Sequence, residues 1–231
     1  MFLFELLQFV LAEREILWAM APHIIWPLRF VLPHHAGLRP AWLLRLGLFF
    51  YDHLGGRKIL PPTRTLDLRS DPAGAPLKDR AARAFEYSDC WVDDARLVVL
   101  NARDAAARGA DIRTRTRVLA ARRDGDLWQI ETETEDGARE THSARALVNA
   151  AGPWIDRVNA ALGAPTRMIG GTKGSHILLD HPELLAALKG RMIYFEADDG
   201  RICLVFPYLD RALVGSTDIR ADDPDDVACD D

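Results

Sequence analysis

The chain of 231 residues is poor in the groups that would mark several common function classes. Its three cysteines, Cys90, Cys203 and Cys229, are odd in number and widely spaced. That argues against a disulfide framework or a zinc cluster and fits a reducing compartment. None of the seven histidines pairs at metal-ligand spacing. His34 and His35 are adjacent, and adjacent side chains on an extended segment point apart, so no metal is expected. Neither sign of charge dominates: 29 Lys and Arg against 34 Asp and Glu give a net charge of −5, and nothing global advertises nucleic acid. No stretch approaches the roughly 18 uncharged apolar residues of a spanning helix, so the chain is not expected to cross a membrane. The opening MFLFELLQFVLA lacks a basic start and carries Glu5, and reads as a helix of the fold rather than a signal peptide. A G-x-x-x-x-G-K-[ST] loop, a G-x-S-x-G elbow, internal repeats and low-complexity tracts are likewise missing from the sequence.

What is present is ordinary globular material, 48% hydrophobic and 27% charged. Residues Phe2 to Met20 read as an amphipathic helix with Leu3, Leu6, Leu7, Val10, Leu11 and Leu17 on its apolar side, ended by Pro22. HIIWPLRFVLPHH is apolar but broken by Pro27 and Pro33, so extended or irregular. A second helix starts at Pro40 and closes at Gly55-Gly56, and residues 60 to 76 form a proline-rich loop. DDARLVVLNARDAAARGADI is a helix capped by Asp93 or Asp94, with Leu97, Val98, Leu100 and some of Ala105 to Ala107 facing inward. It is followed by strands in DIRTRTRVLAARR and DLWQIETET and by an extended run into ARALVNAAG. The last third, RMIYFEADDGRICLVFPYLDRALVGSTD, reads as an antiparallel meander of three short strands. Together these predict an α/β layer with an appended antiparallel piece.

Four stretches exceed what folding alone demands. LVNAAGPW, Leu147 to Trp154, is an apolar strand ending in residues with little bulk. Either something flat or charged approaches the backbone there, which Gly152 permits, or it is an ordinary strand-to-helix turn. GGTKGSHILLD gathers Lys173, which could hold a phosphate or carboxylate, and His176, which could accept a proton near neutral pH; a structural histidine is the alternative. In FEYSDCWVDDARL, Tyr87, Asp89 and Trp91 line a pocket or pack a junction. Finally, Arg29, Arg39, Arg45, Arg57 and Lys58 interleave with Trp26, Trp42, Phe49 and Phe50. They are either arginines snorkelling over an apolar core or a surface for anionic lipid.

LAEREIL, RPAWLLRLGLFFYDHLGGR, FEYSDCWVDDARLVVLNA, TRTRV, LVNAAGPW, KGSHILL and LVGSTD occur in this order along essentially the whole chain. The sequence thereby resembles the central part of the FAD-dependent, quinone-linked glycerol-3-phosphate dehydrogenases. The resemblance implies an α/β (α+β) fold: an incomplete Rossmann-like FAD-binding domain with an antiparallel-sheet substrate domain. It divides the chain into cap helices and loops over 1–84, the central FAD-binding part over 85–158 and the second substrate part over 159–231. It implies FAD as cofactor, with Ala150, Ala151, Gly152 and Trp154 near the flavin phosphates and Val118 facing the adenine. His176 is then the base near the C2 hydroxyl, with Lys173 beside it. The implied reaction is oxidation of glycerol 3-phosphate to dihydroxyacetone phosphate, with electrons passing to membrane quinone. A cytoplasmic protein, peripheral on the inner face of the plasma membrane and able to form a homodimer, goes with it.

Two departures temper this. No G-x-G-x-x-G, the fingerprint that seats a pyrophosphate on a helix N-terminus, occurs anywhere in the sequence. The family's substrate-gripping arginines are expected beyond GSTD. The chain therefore reads as an internal piece of the enzyme, not expected to bind flavin tightly alone. The alternatives are a non-catalytic remnant or membrane-associating module, and another FAD-dependent oxidase of the same superfamily.

Overall fold

A computed structural model describes residues 2–54, 59–78, 82–197 and 200–229, without the side chains of residues 2–4, 6 and 7. The chain divides into two units, one of residues 1–100 and 174–217, the other of 101–173 and 218–231.

The first unit is built on a seven-stranded sheet. Its strands are β1 (Ile25–His34), β2 (Arg64–Asp67), β3 (Arg83–Val92), β8 (His176–Leu179), β9 (Arg191–Glu196), β10 (Ile202–Tyr208) and β11 (Arg211–Gly215), in the order β2-β3-β1-β9-β10-β11-β8. All pairs are antiparallel except β1 with β9. The meander expected in the last third is β9 to β11. β1 is the segment read as extended or irregular, and it is a ten-residue strand in spite of Pro27 and Pro33. Its parallel ladder to β9 covers only Arg29 to Val31. Both prolines lie outside that ladder, though each stands in the ladder to β3, opposite Cys90 and Ala84. The loop expected over 60–76 also holds β2 and a short 3-10 turn at Pro72–Gly74. A chain passing beside β3 has an edge to pair with, whatever its local proline content.

The faces of this sheet bury different material. One carries Val31, Leu66, Leu68, Ala84, Ile193 and Ala212, closed by Leu188 of α5 (Pro182–Leu188). Within it stands Glu86, 2% exposed. Its carboxylate accepts from Arg29 at 2.8 Å, from Arg191 at 3.0 Å and from Arg64. The other face carries Leu28, Met192 and Phe206 with Phe30, Trp91, Leu204, Tyr208 and Leu213 against them. Trp26 stacks on Trp91 at 4.5 Å and Phe30 on Tyr87 at 5.1 Å.

α1 (Phe2–Met20) and α2 (Ala41–Leu54) belong to this unit. In α1 Leu11 is buried, whereas Val10 and Leu17 are 53% and 41% exposed, which corrects the expected apolar side. The side chains of Leu3, Leu6 and Leu7, and the expected helix stop at Gly55-Gly56, lie outside the described residues. Arg14 of α1 turns inward to donate to Tyr51 Oη at 2.7 Å, and Tyr51 donates to Asp89 at 2.9 Å. Tyr87, Asp89 and Trp91 thus pack and bond within the unit. Arg29 is also committed inward, to Glu86 and Ser88. It is not available to a lipid headgroup, and Arg57 and Lys58 lie outside the described residues.

α3 (Asp94–Ala107) begins in the first unit and ends in the second. Asp93 caps it, its Oδ1 accepting from the Arg96 N–H at 3.1 Å. Leu97 and Leu100 pack on Ile24 and Ile25, but Val98 is 68% exposed, against expectation. The second unit holds an antiparallel sheet β4-β5-β6, made of β4 (Thr116–Asp124), β5 (Leu127–Thr134) and β6 (Arg139–Ala144). It also holds α4 (Ile155–Ala161) packed on β4, and a small ladder of β7 (Thr172–Lys173) with β12 (Ile219–Arg220). The strand expected through LVNAA is not formed: residues 145–151 pair with no strand and run irregularly into a 3-10 turn at Gly152–Trp154.

Candidate functional site

His176 opens β8, the edge strand of the large sheet. Register places it directly across from Gly215, Gly215 across from Leu204, and Leu204 across from Tyr194. Opposed residues share a face, so these four make one row on the face that carries Phe206 and Leu213. The His176 side chain is exposed, and no described residue hydrogen-bonds or ion-pairs with its imidazole.

The backbone around it is held closely. A Cβ added to Gly215 would overlap His176 Cδ2 and lie 2.9 Å from Nε2. One added to Gly174 would lie 2.9 Å from the Thr217 carbonyl. The Ser175 N–H donates to Thr217 Oγ1 at 2.8 Å, and the Thr217 N–H donates back to the Ser175 carbonyl at 3.3 Å. The Gly-Ser-His and Gly-Ser-Thr stretches, some forty residues apart in sequence, therefore interlock. Both stand out in the sequence, but reading along the chain gives Gly215, Thr217 and Tyr194 no role. A glycine at the end of an apolar strand was the available signal of close approach.

In the second unit Gly152 has φ +54°, and a Cβ there would meet nothing within 4 Å. Ala150, Gly152 and Trp154 are exposed and Ala151 is half-buried. Asn149 shapes the turn: its amide donates to Asn159 at 2.7 Å and to the Ile155 carbonyl at 3.1 Å. Val118, half-buried in β4, sits beside a β-bulge and pairs with Thr132. Asp156 of α4 ties the turn to the glycine-rich stretch that follows. Its carboxylate accepts from Thr166 Oγ1 at 2.6 Å and from the N–H groups of Met168 and Ile169. Those bonds, from Thr166 first, hold its carboxyl below the usual range.

Lys173 does not stand free: its ammonium bonds Asp226 and the Ala228 carbonyl, both at 3.1 Å. The same acidic stretch meets Trp154, whose indole N–H donates to Asp225 at 2.9 Å, and Arg157, paired with Asp223 and Asp225. Lys173 and His176 belong to different units.

A dinucleotide can be tested against these residues. The exposed, small-residue turn at Ala150–Gly152 leaves open space where a phosphate or ring would meet backbone, and Gly152 supplies a left-handed conformation that a larger residue resists. This fits one wall of a flavin site. Because no G-x-G-x-x-G occurs in the sequence, the pyrophosphate cradle itself is not among these residues.

Comparison with known proteins identifies the family. The profile of the family described as FAD dependent oxidoreductase matches residues 2–231. The chain is 51% identical over 98% of its length to D-erythritol 1-phosphate dehydrogenase of Brucella abortus, covering 45% of that protein. It is 49% identical over 93% of its length to glycerol-3-phosphate dehydrogenase of Pseudomonas aeruginosa, covering 41%. It is 44% identical over 94% of its length to aerobic glycerol-3-phosphate dehydrogenase of Escherichia coli, covering 43%. The chain thus spans less than half the length of these relatives. Among solved structures, glycerol-3-phosphate dehydrogenase of Bacillus halodurans complexed with FAD matches 91% of this chain and 38% of that one, with a TM-score of 0.62 and 23% identity. That likeness establishes the fold, a partial FAD-binding α/β architecture with a separate antiparallel sheet. On these grounds the chain belongs to the FAD-dependent oxidoreductase family.

Proposed function

We propose that this chain is part of a flavin-dependent dehydrogenase of a phosphorylated polyol, with glycerol 3-phosphate as substrate and membrane quinone as the final electron acceptor. The observation that carries the reading is the 49% and 44% identity to two glycerol-3-phosphate dehydrogenases over more than nine-tenths of the chain. The second reading, D-erythritol 1-phosphate as substrate, rests on the 51% identity to a dehydrogenase of that name. Both substrates present an alcohol to oxidise and a phosphate to hold, so the chemistry asked of the chain is the same.

FAD, when bound, supplies the two-electron acceptor for hydride from the alcohol carbon. The chain's residues do the rest. His176 takes the hydroxyl proton as the C–H bond breaks, so that alcohol becomes ketone with the proton and the hydride both accounted for. Lys173 holds the anionic end of the substrate, which requires it to exchange the Asp226 carboxylate for phosphate. Ala150, Ala151, Gly152 and Trp154 offer backbone and ring to the cofactor, with Val118 toward its adenine. Peripheral attachment to the inner face of the membrane is supported by exposed aromatic groups of α2, Trp42 at 69% and Phe49 at 47%.

The test is a chimera in which these residues replace the matched segment of the Pseudomonas aeruginosa relative. Mixed anaerobically with each substrate, it is expected to lose its flavin absorbance with glycerol 3-phosphate, and to do so at least about a hundredfold more slowly after His176→Gln. Bleaching by D-erythritol 1-phosphate alone establishes the second reading. Bleaching only by amino acids overturns both.

A further inference from the structure

We infer that Gly215 is a positioning residue for the His176 imidazole, an assignment that rests on the reading of His176 as the proton acceptor. Three observations carry it. Gly215 lies directly across the β8–β11 ladder from His176. The ring lies so close over its Cα that a methyl group there would overlap Cδ2 and stand 2.8 Å from Cγ and 2.9 Å from Nε2, well inside van der Waals separation. Among the described residues none bonds the ring, so none of them fixes it by the usual means, a carboxylate or carbonyl on its second nitrogen.

Shape does that work instead. The missing side chain at 215 is a shallow seat that takes the Cδ2–Nε2 edge of the ring. The strand partner holds the seat at fixed distance, and the Ser175–Thr217 bonds lock the two segments in register beside it. Any side chain at 215 fills the seat and turns the imidazole off the sheet face. Gly215 does not lie in the left-handed region, so a positive φ is not what calls for glycine at this position. The device orients the ring with no charged partner from any described residue.

The first test uses the unmodified 231-residue chain. Nuclear Overhauser effects from the His176 Hδ2 proton to the Gly215 Hα protons are expected, and their absence overturns the inference whatever any variant does. The second test is Gly215→Ala in the same chain, expected to displace the His176 ring resonances while those of His34 and His181 stay in place. In the chimera described above, Gly215→Ala should lower kcat about tenfold or more, as misplacement of a catalytic group does, with KM for glycerol 3-phosphate within about twofold. The His176→Gln, Gly215→Ala double variant should be no slower than His176→Gln alone. If His176→Gln is slow but Gly215→Ala is not, positioning by Gly215 is overturned and the base survives. If His176→Gln is as fast as the parent, the catalytic reading itself falls.

Discussion

Glu86 faces three arginines with one carboxylate, and the balance of effects on it can be worked through. Burial alone would raise its pKa. Hydrogen bonds from Arg64 and Arg29, the charge of Arg29 and the bond from Arg191 outweigh burial and lower it from 4.5 to about 2. A pKa depressed on folding means stability that is fully present above about 4.5 and drains away as pH falls toward 2. The shift corresponds to about 3 kcal/mol at neutral pH. Glu86→Gln should therefore be markedly less stable than the parent in urea at pH 7, and the gap should narrow at pH 3. A gap that stays constant with pH would mean that the carboxylate's charge is not what matters. The sequence showed Arg29 only as one of a basic cluster, because a carboxylate 57 residues away becomes its partner only through sheet pairing.

At the scale of the element, α3 shows how a local signal is narrowed by geometry. Its composition allowed Asp93 or Asp94 as cap, and the structure selects Asp93, whose side chain reaches the Arg96 N–H while its own N–H donates to the Ile24 carbonyl at 3.0 Å. Asp93→Ala should cost about 1 kcal/mol in chemical denaturation, and Asp94→Ala distinctly less. Equal losses would show that the cap is shared. Two stretches show why strand formation is hard to read locally. β1 holds two prolines yet forms, because β3 and β9 offer edges on both sides. The LVNAA run is apolar yet pairs with no strand. A strand exists only if a neighbour accepts its hydrogen bonds, and neighbours are not a local property.

On the scale of the whole molecule the two units are unequally supplied with core. Most buried apolar residues, among them Ile24, Val31, Leu68, Phe85, Leu188 and Ile193, lie in the first unit. The described residues of the second unit bury little beyond Ala121 and Thr132. Amide hydrogens of β4, β5 and β6 should then exchange through openings of lower free energy than those of β1, β3 and β9. Hydrogen exchange followed by mass spectrometry would check this, and equal protection would point to a single cooperative unit.

The sequence by itself determined α1, α2 and α3, the strands β4 and β5 and the meander of β9 to β11, because periodicity, capping residues and turn residues act over a few positions. It also carried the family, since whole motifs in fixed order are a property of sequence. Only the tertiary structure decided that Gly-Ser-His and Gly-Ser-Thr interlock, that Lys173 is held by Asp226, and that Arg29 serves Glu86. Each depends on which backbones lie side by side, and that is settled by burying apolar faces and satisfying peptide groups over the whole sheet at once.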